Sequence, residues 1–137
     1  MAQARSTGDP LEVCPRSSRE KGAIGEEIAR QYLRHEGFTI LAANFHACSG
    51  EIDIIAKEDK MIVFIEVKST TKDTAFGDPL QWIPVWKQQR IIRASLAYLK
   101  TKGMIEALMR FDVITIDQNK KVFHVRDAFR VSNPFSV

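Results

Sequence analysis

The order of periodic segments in this chain predicts an α/β fold, a mixed central sheet flanked by helices in the order α-β-β-β-α-β-β. Three observations carry that expectation. A helical apolar stripe comes first, a meander of three runs rich in β-branched residues follows it, and a long second helical segment separates the meander from a final pair of strands. The 137 residues fit one domain, and 45% hydrophobic with 27% charged residues is enough to build a core.

Residues 1–18 mix Ser, Pro, Gly and charges without periodicity and read as a mobile tail ahead of a single domain over 19–137. From about Arg19, Ile24, Ile28, Ala29, Tyr32 and Leu33 recur at helical spacing. Gly25 falls inside that stripe, where a neighbouring backbone can come close, and Gly37 can end the helix. Glu26 borders the stripe, so its carboxylate can reach over the end of the sheet. The helix dipole alone would also favour an acid there.

Phe38–Phe45 reads as the first strand, and a loop from His46 to Gly50 leads into a hairpin. Its arms are 51–56 and 61–68, joined by Lys57-Glu58-Asp59-Lys60. With Glu58-Asp59 as a two-residue turn, Asp53 faces Phe64 and Glu51 faces Glu66, so Asp53, Glu66 and Lys68 share one side. Ile52, Ile54, Val63, Ile65 and Val67 then form the other side and must be packed. Diagonal neighbours lie roughly 7–8 Å apart at the backbone, a gap that two carboxylates can close around one divalent ion. The same groups could equally form a structural ion-pair cluster, and the hairpin alone leaves both readings open.

Ser69 to Pro79 has no periodicity and reads as a loop beside Lys68. A second helix is expected from Pro84 at its first position to Lys102, stopped by Gly103. Ile91, Ala94, Tyr98, Leu99 and, less regularly, Leu96 supply its apolar side, while Lys87, Arg90 and Arg93 supply a basic one. Trp82 and Trp86 are expected in the core. Arg110–Ile116 reads as a buried strand, and 122–125 as an edge strand hairpinned to it.

Composition narrows the function classes. The net charge of +3 is only mildly basic, yet from Pro79 to Gly103 there are five Lys and Arg and no Asp or Glu. Such separation suits one surface that holds cations beside another that meets phosphates. Cys14 and Cys48 lack metal-ligand spacing and read as free thiols, and His35, His46 and His124 are scattered. There is no Gly-rich phosphate loop and no assembled Ser/His/Asp set. No run approaches the roughly 20 apolar residues of a membrane span, and the first residues lack the apolar core of a secretory signal, so a cytoplasmic protein with no membrane partner is expected.

The order of helix, meander, Asp, Glu-x-Lys, helix and strand resembles the PD-(D/E)xK nuclease superfamily with its restriction-endonuclease-like fold. More specifically, the chain resembles the YraN family of bacterial proteins. The residues that carry this are Gly22-Ala23-Ile24-Gly25-Glu26, Tyr32-Leu33, Gly37-Phe38, Asn44, Gly50-Glu51-Ile52-Asp53-Ile54-Ile55, Phe64-Ile65-Glu66-Val67-Lys68, Phe76-Gly77-Asp78-Pro79, Lys87-Gln88 and Arg110-Phe111-Asp112-Val113. They span about residues 20–130. A remoter similarity is to archaeal Holliday-junction resolvases, whose helix-borne Glu four residues after a Gly matches Gly22 and Glu26.

The resemblance implies a core of α-β-β-β-α-β with an extra C-terminal edge strand, and a DNA endonuclease dependent on Mg²⁺ or Mn²⁺. Asp53, Glu66 and Glu26 would hold the ion, and these with Lys68 would form the catalytic set. Lys87, Arg90 and Arg93 would bind the DNA backbone. Branched DNA is the expected preference, DNA is preferred to RNA, and symmetric cutting of a junction would take a homodimer. A non-catalytic nucleic-acid-binding module on the same scaffold is the alternative, and a protein-interaction domain is a third. Two positions depart from the family pattern that the resemblance implies: His46 and Thr70 stand where the family usually has Arg. Ile52-Asp53 replaces the Pro-Asp of the superfamily name.

Overall fold

The computed structural model describes residues 23–70 and 83–131. The expected tail over 1–18, most of the 69–79 loop and Trp82 lie outside them. The elements are α1 (Ala23–His35), β1 (Thr39–Ala47), β2 (Gly50–Glu58), β3 (Met61–Ser69), α2 (Val85–Thr101), β4 (Leu108–Ile116) and β5 (Val122–Phe129). The five strands form one sheet in sequence order. All neighbours are antiparallel except β3 and β4, which run parallel and are joined across α2. The expected mixed α/β architecture is therefore present.

Among the described residues, each face of the sheet carries one helix. On one, Ala29 and Leu33 of α1 pack with Phe38, Ile54, Ala56, Val63, Ile65, Ile114 and Ile116. On the other, Ile91, Ala94, Tyr98 and Leu99 of α2 pack with Ile52, Ile55, Ile62, Phe64, Phe111, Val113 and Phe129. Covered on both sides, β3 is buried without a break from Ile62 to Glu66. That explains why its sequence is apolar throughout instead of alternating.

Helix ends follow the glycines. Gly37 takes φ +96° and Gly103 φ +70°, the left-handed conformations that stop α1 and α2. Pro84 precedes α2 as its cap, with φ −63° and ψ 157°, so the helix starts at Val85, one residue later than expected. Gly25 and Gly50 serve close packing. A Cβ on Gly25 would lie 2.6 Å from Ser69 Oγ, and one on Gly50 would lie 2.8 Å from the Arg90 carbonyl oxygen. The backbone of α2 therefore rests on the first residue of β2.

Several expectations change. The hairpin turns at Asp59-Lys60, with Asp59 at φ +55°, so Glu58 pairs with Met61 and Ile55 pairs with Phe64. This slip of two residues keeps the faces of β3 but brings Asp53 level with Glu66 instead of diagonal to it. Ile52 packs under α2, not with Ile54, so alternation along β2 is interrupted at Asp53. Asn44, at φ +55°, lies between the rungs Ala43–Ile54 and Phe45–Ile52, where that interruption falls. Ile24 is 70% exposed and lies outside the α1 stripe, and Trp86 is 59% exposed, not core. Cys48 is disulfide-bonded, because separation in sequence sets no distance in the fold, while Cys14 lies outside the described residues. No helix among the described residues is long and apolar enough to cross a membrane.

Candidate metal and nucleic-acid site

The ladder between β2 and β3 ends at Ile54–Ile65. Beyond it, where Asp53 and Glu66 would form the next rung, the side chain of Asp53 replaces a backbone partner: its Oδ2 accepts the Val67 N–H at 2.8 Å. One bond thus fixes the carboxylate and satisfies a strand donor that the splayed ladder leaves over. Glu66 is only 7% exposed, and its Oε2 lies 2.8 Å from Lys87 Nζ in the first turn of α2. The close approach at Gly50 sets the helix low enough for that contact.

Electrostatics tie a third acid to the pair. Burial first, then the negative charge of Glu66, and further the charge of Glu26 hold the Asp53 carboxyl well above the usual aspartate range. The Val67 N–H and the Lys87 ammonium pull it back without cancelling the rise. Burial works against the charged form of Lys87, but Glu66, Asp53 and Glu51 outweigh it and raise its pKa. Lys68 follows Glu66 by two residues and so shares its side of β3. Of the expected site residues, Asp53 thus feels the charge of both Glu66 and Glu26, with Lys68 two residues beyond Glu66 on the strand.

The pattern that defines the uncharacterised protein family UPF0102 matches residues 25–116. This chain belongs to that family. YraN is the same family. A UPF0102 protein from Clostridium perfringens is 44% identical over 115 residues, which cover 80% of this chain and 93% of the relative. One from Geotalea daltonii is 45% identical over 112 residues, covering 79% and 87%. Among solved structures, Pyrococcus furiosus SfsA in complex with Ca²⁺ matches with a TM-score of 0.33 and 16% identity. That alignment covers 82% of this chain, which spans 64% of the length of that one.

Within this UPF0102 chain the acids suit a hard divalent cation by chemistry. Every donor is a carboxylate oxygen, and the Asp53 carboxyl is raised by burial first and then by the charges of Glu66 and Glu26, which Lys87 offsets only in part. As the side chains stand, no three His, Cys, Asp or Glu among the described residues lie close enough to hold an ion. The Lys87 ammonium occupies Glu66 instead. Of the three residues expected to contact DNA, Lys87 is therefore engaged in the acid cluster. Arg90 and Arg93 are exposed, with Arg90 Nε donating to the Ser49 carbonyl at 3.0 Å.

A second charged cluster went unforeseen. Asp112 is fully buried; its Oδ1 accepts Arg110 Nε at 2.8 Å and the Asp127 N–H at 2.9 Å. Its Oδ2 meets Arg110 Nη2 at 3.0 Å and His124 Nε2 at 2.7 Å. Tyr32 Oη lies 3.0 Å from His124 Nδ1, and Glu58 joins Arg110 to Arg126. Burial would raise the Asp112 pKa, but the bonds from His124, Arg110 and the Asp127 N–H outweigh it and hold the carboxyl below its ordinary value. The sequence signal was an Asp inside an otherwise apolar strand, since such an acid needs partners.

Proposed function

We propose that this protein is a divalent-metal-dependent nuclease that cuts the phosphodiester backbone of DNA, with branched DNA as its preferred substrate. The observation that carries the reading is Asp53: a carboxylate fixed by the Val67 N–H at the open end of a hairpin, its pKa raised by burial and by the charges of Glu66 and Glu26. Structural acids are usually surrounded by donors, whereas groups held away from their ordinary pKa by like charge are typical of working sites.

Asp53 and Glu66 would hold Mg²⁺ or Mn²⁺, with Glu26 in support. When bound, such an ion supplies Lewis-acid charge that stabilises the developing oxyanion and lowers the pKa of water. The rest falls to the chain. Lys68 places an ammonium beside the scissile phosphate and offsets the charge that accumulates as water attacks in line and the 3′-oxygen leaves. The Val67 N–H keeps Asp53 in one orientation, so little reorganisation is needed at the moment of reaction. The product carries a 5′-phosphate. Arg90 and Arg93 hold backbone phosphates, an attraction that weakens steeply with salt and carries no sequence information.

The test is to incubate end-labelled four-way junction, duplex and single-stranded DNA with Mg²⁺ or Mn²⁺, beside Asp53→Ala and Glu66→Ala proteins. Cuts in the wild type that both substitutions abolish are expected; cleavage that survives Glu66→Ala sinks the assignment. The Lys87–Glu66 pair, which neutralises Glu66 with no ion present, favours a second reading: a non-catalytic nucleic-acid-binding module. Salt-sensitive binding to branched DNA with no cleavage in either metal would select it.

A further inference from the structure

A largely exposed aromatic residue precedes the lysine that joins the acid cluster. Trp86 is 59% exposed and makes no ring contact among the described residues, although it adjoins Lys87, whose ammonium reaches Glu66. Isolated exposed apolar residues are common and need no explanation. Here position and neighbours say more. Trp86, Arg90 and Arg93 stand at i, i+4 and i+7 of α2, so they share one side of the helix. Both arginines are exposed, Arg93 has no hydrogen bond or ion pair among the described residues, and the first turn of α2 carries no acid. An aromatic face one residue before Lys87 thus opens a stripe of positive charge along the same helix.

We propose that this stripe binds single-stranded DNA, with Trp86 stacking on an unpaired base next to the cleavage site and Arg90 and Arg93 holding the phosphates that follow. The inference rests on the nucleic-acid part of the reading above and adds a substrate class: a strand whose bases are already unstacked, as in a flap, a fork or the open centre of a branch. An indole can cover the face of any free base, which gives affinity without sequence preference. In an intact duplex the faces are already stacked on their neighbours, so Trp86 would gain nothing unless a base pair were opened first. Charge complementarity alone would hold duplex and single strand alike; the exposed ring separates them.

The experiment measures binding, not cutting, and so stands apart from the nuclease assignment. Fluorescence anisotropy of a labelled oligothymidylate and of a blunt duplex of equal length is followed at low salt in EDTA, with wild type, Trp86→Ala, Trp86→Phe and Arg93→Ala proteins. Because Trp86 is exposed, the variants should melt at the wild-type temperature. Trp86→Ala is expected to weaken single-strand binding by about tenfold, in keeping with the loss of one stacked base, and to leave duplex binding within about twofold. Trp86→Phe should recover most of the loss. Arg93→Ala should weaken both substrates and flatten their salt dependence. Single-strand binding unchanged in Trp86→Ala, or an equal loss on duplex, overturns the proposal. A dependence on Trp86 that persists in a protein unable to cut DNA in any metal would retire the nuclease and keep the stripe.

Discussion

Asp53 and Asp112 lie on β2 and β4, either side of the same buried strand, and their carboxyl groups are pushed in opposite directions. Both lose water. Asp112 replaces it with a bidentate guanidinium, an imidazole and a backbone N–H, and its pKa falls. Asp53 replaces it with one backbone N–H and two neighbouring carboxylates, and its pKa rises. Burial alone therefore distinguishes nothing; the sign of the surroundings separates an acid that holds the fold together from one that the fold holds under strain.

The largest effect should come from the satisfied acid. Asp112→Ala removes the acceptor shared by Arg110, His124 and the Asp127 N–H, leaving Arg110 with Glu58 alone. A loss of about 3–5 kcal/mol in urea unfolding is expected, as for one partner deleted from a buried ion pair. A loss below about 1 kcal/mol would mean that the network is ornamental and the contrast with Asp53 has no energetic content.

Lys87→Met probes the other side. The substitution keeps much of the side-chain volume but leaves Glu66, at 7% exposure, without its cation. Without metal it should cost about 1–3 kcal/mol, the penalty of an unpaired buried polar group. Mn²⁺ should restore more stability to this variant than to the wild type, because the ion then meets no competing ammonium. Equal Mn²⁺ shifts in the two melting curves would count against an ion at Glu66.

The contrast shows which parts of the molecule the sequence could reveal. Among the described residues, local patterns located the five strands and two helices, and the hairpin put Asp53 and Glu66 close together, because alternation and turn chemistry are short-range. The turn itself was misplaced. Glu58 belongs to β2 because Arg110 and Arg126 hold its carboxylate, and those residues lie more than fifty positions away. The error did little harm, since a slip of two residues keeps the faces of β3. Lys87 read as one of three DNA-backbone contacts on the basic side of the helix, yet it crosses to Glu66, where Gly50 lets α2 lie close on β2. His124 read as an ordinary polar residue; the bulge between Phe111 and Val113 and the approach of Tyr32 make it a buried link, and neither is a local property.

Asp53→Asn should act in the opposite direction to Asp112→Ala, stabilising the metal-free protein by about 1 kcal/mol by removing a charge that burial and the neighbouring carboxylates both disfavour, while abolishing any cleavage. The effect depends on pH. Asp53 binds its proton more tightly folded than unfolded, so its contribution to stability is full below the ordinary aspartate pKa and fades as pH rises through the raised folded value. Asp112 is the reverse: its contribution is present above the ordinary pKa and fades as pH falls through the lowered value. Urea midpoints in EDTA across the acidic to neutral range should show the advantage of Asp53→Asn over wild type growing with pH. An advantage that is flat or shrinks with pH would break the reading of Asp53 as an acid whose charged form is disfavoured by burial and by its neighbours.

The smallest effect tests whether the Asp112 network is structural throughout. Tyr32 Oη and His124 Nδ1 lie 3.0 Å apart, while Nε2 of the same ring faces Asp112. With the ring proton on Nε2, Nδ1 is an acceptor and the tyrosine hydroxyl is its donor. Tyr32→Phe keeps the ring that packs edge-on against His124 and deletes only that donor. A net loss of about 0.5–1.5 kcal/mol should follow, with DNA binding unchanged and any cleavage unchanged. Should cleavage fall while stability holds, the Tyr32–His124–Asp112 chain would have to be counted with Asp53 and Glu66 as part of the working site, and the division between the two acids would move from between the clusters to somewhere inside the second.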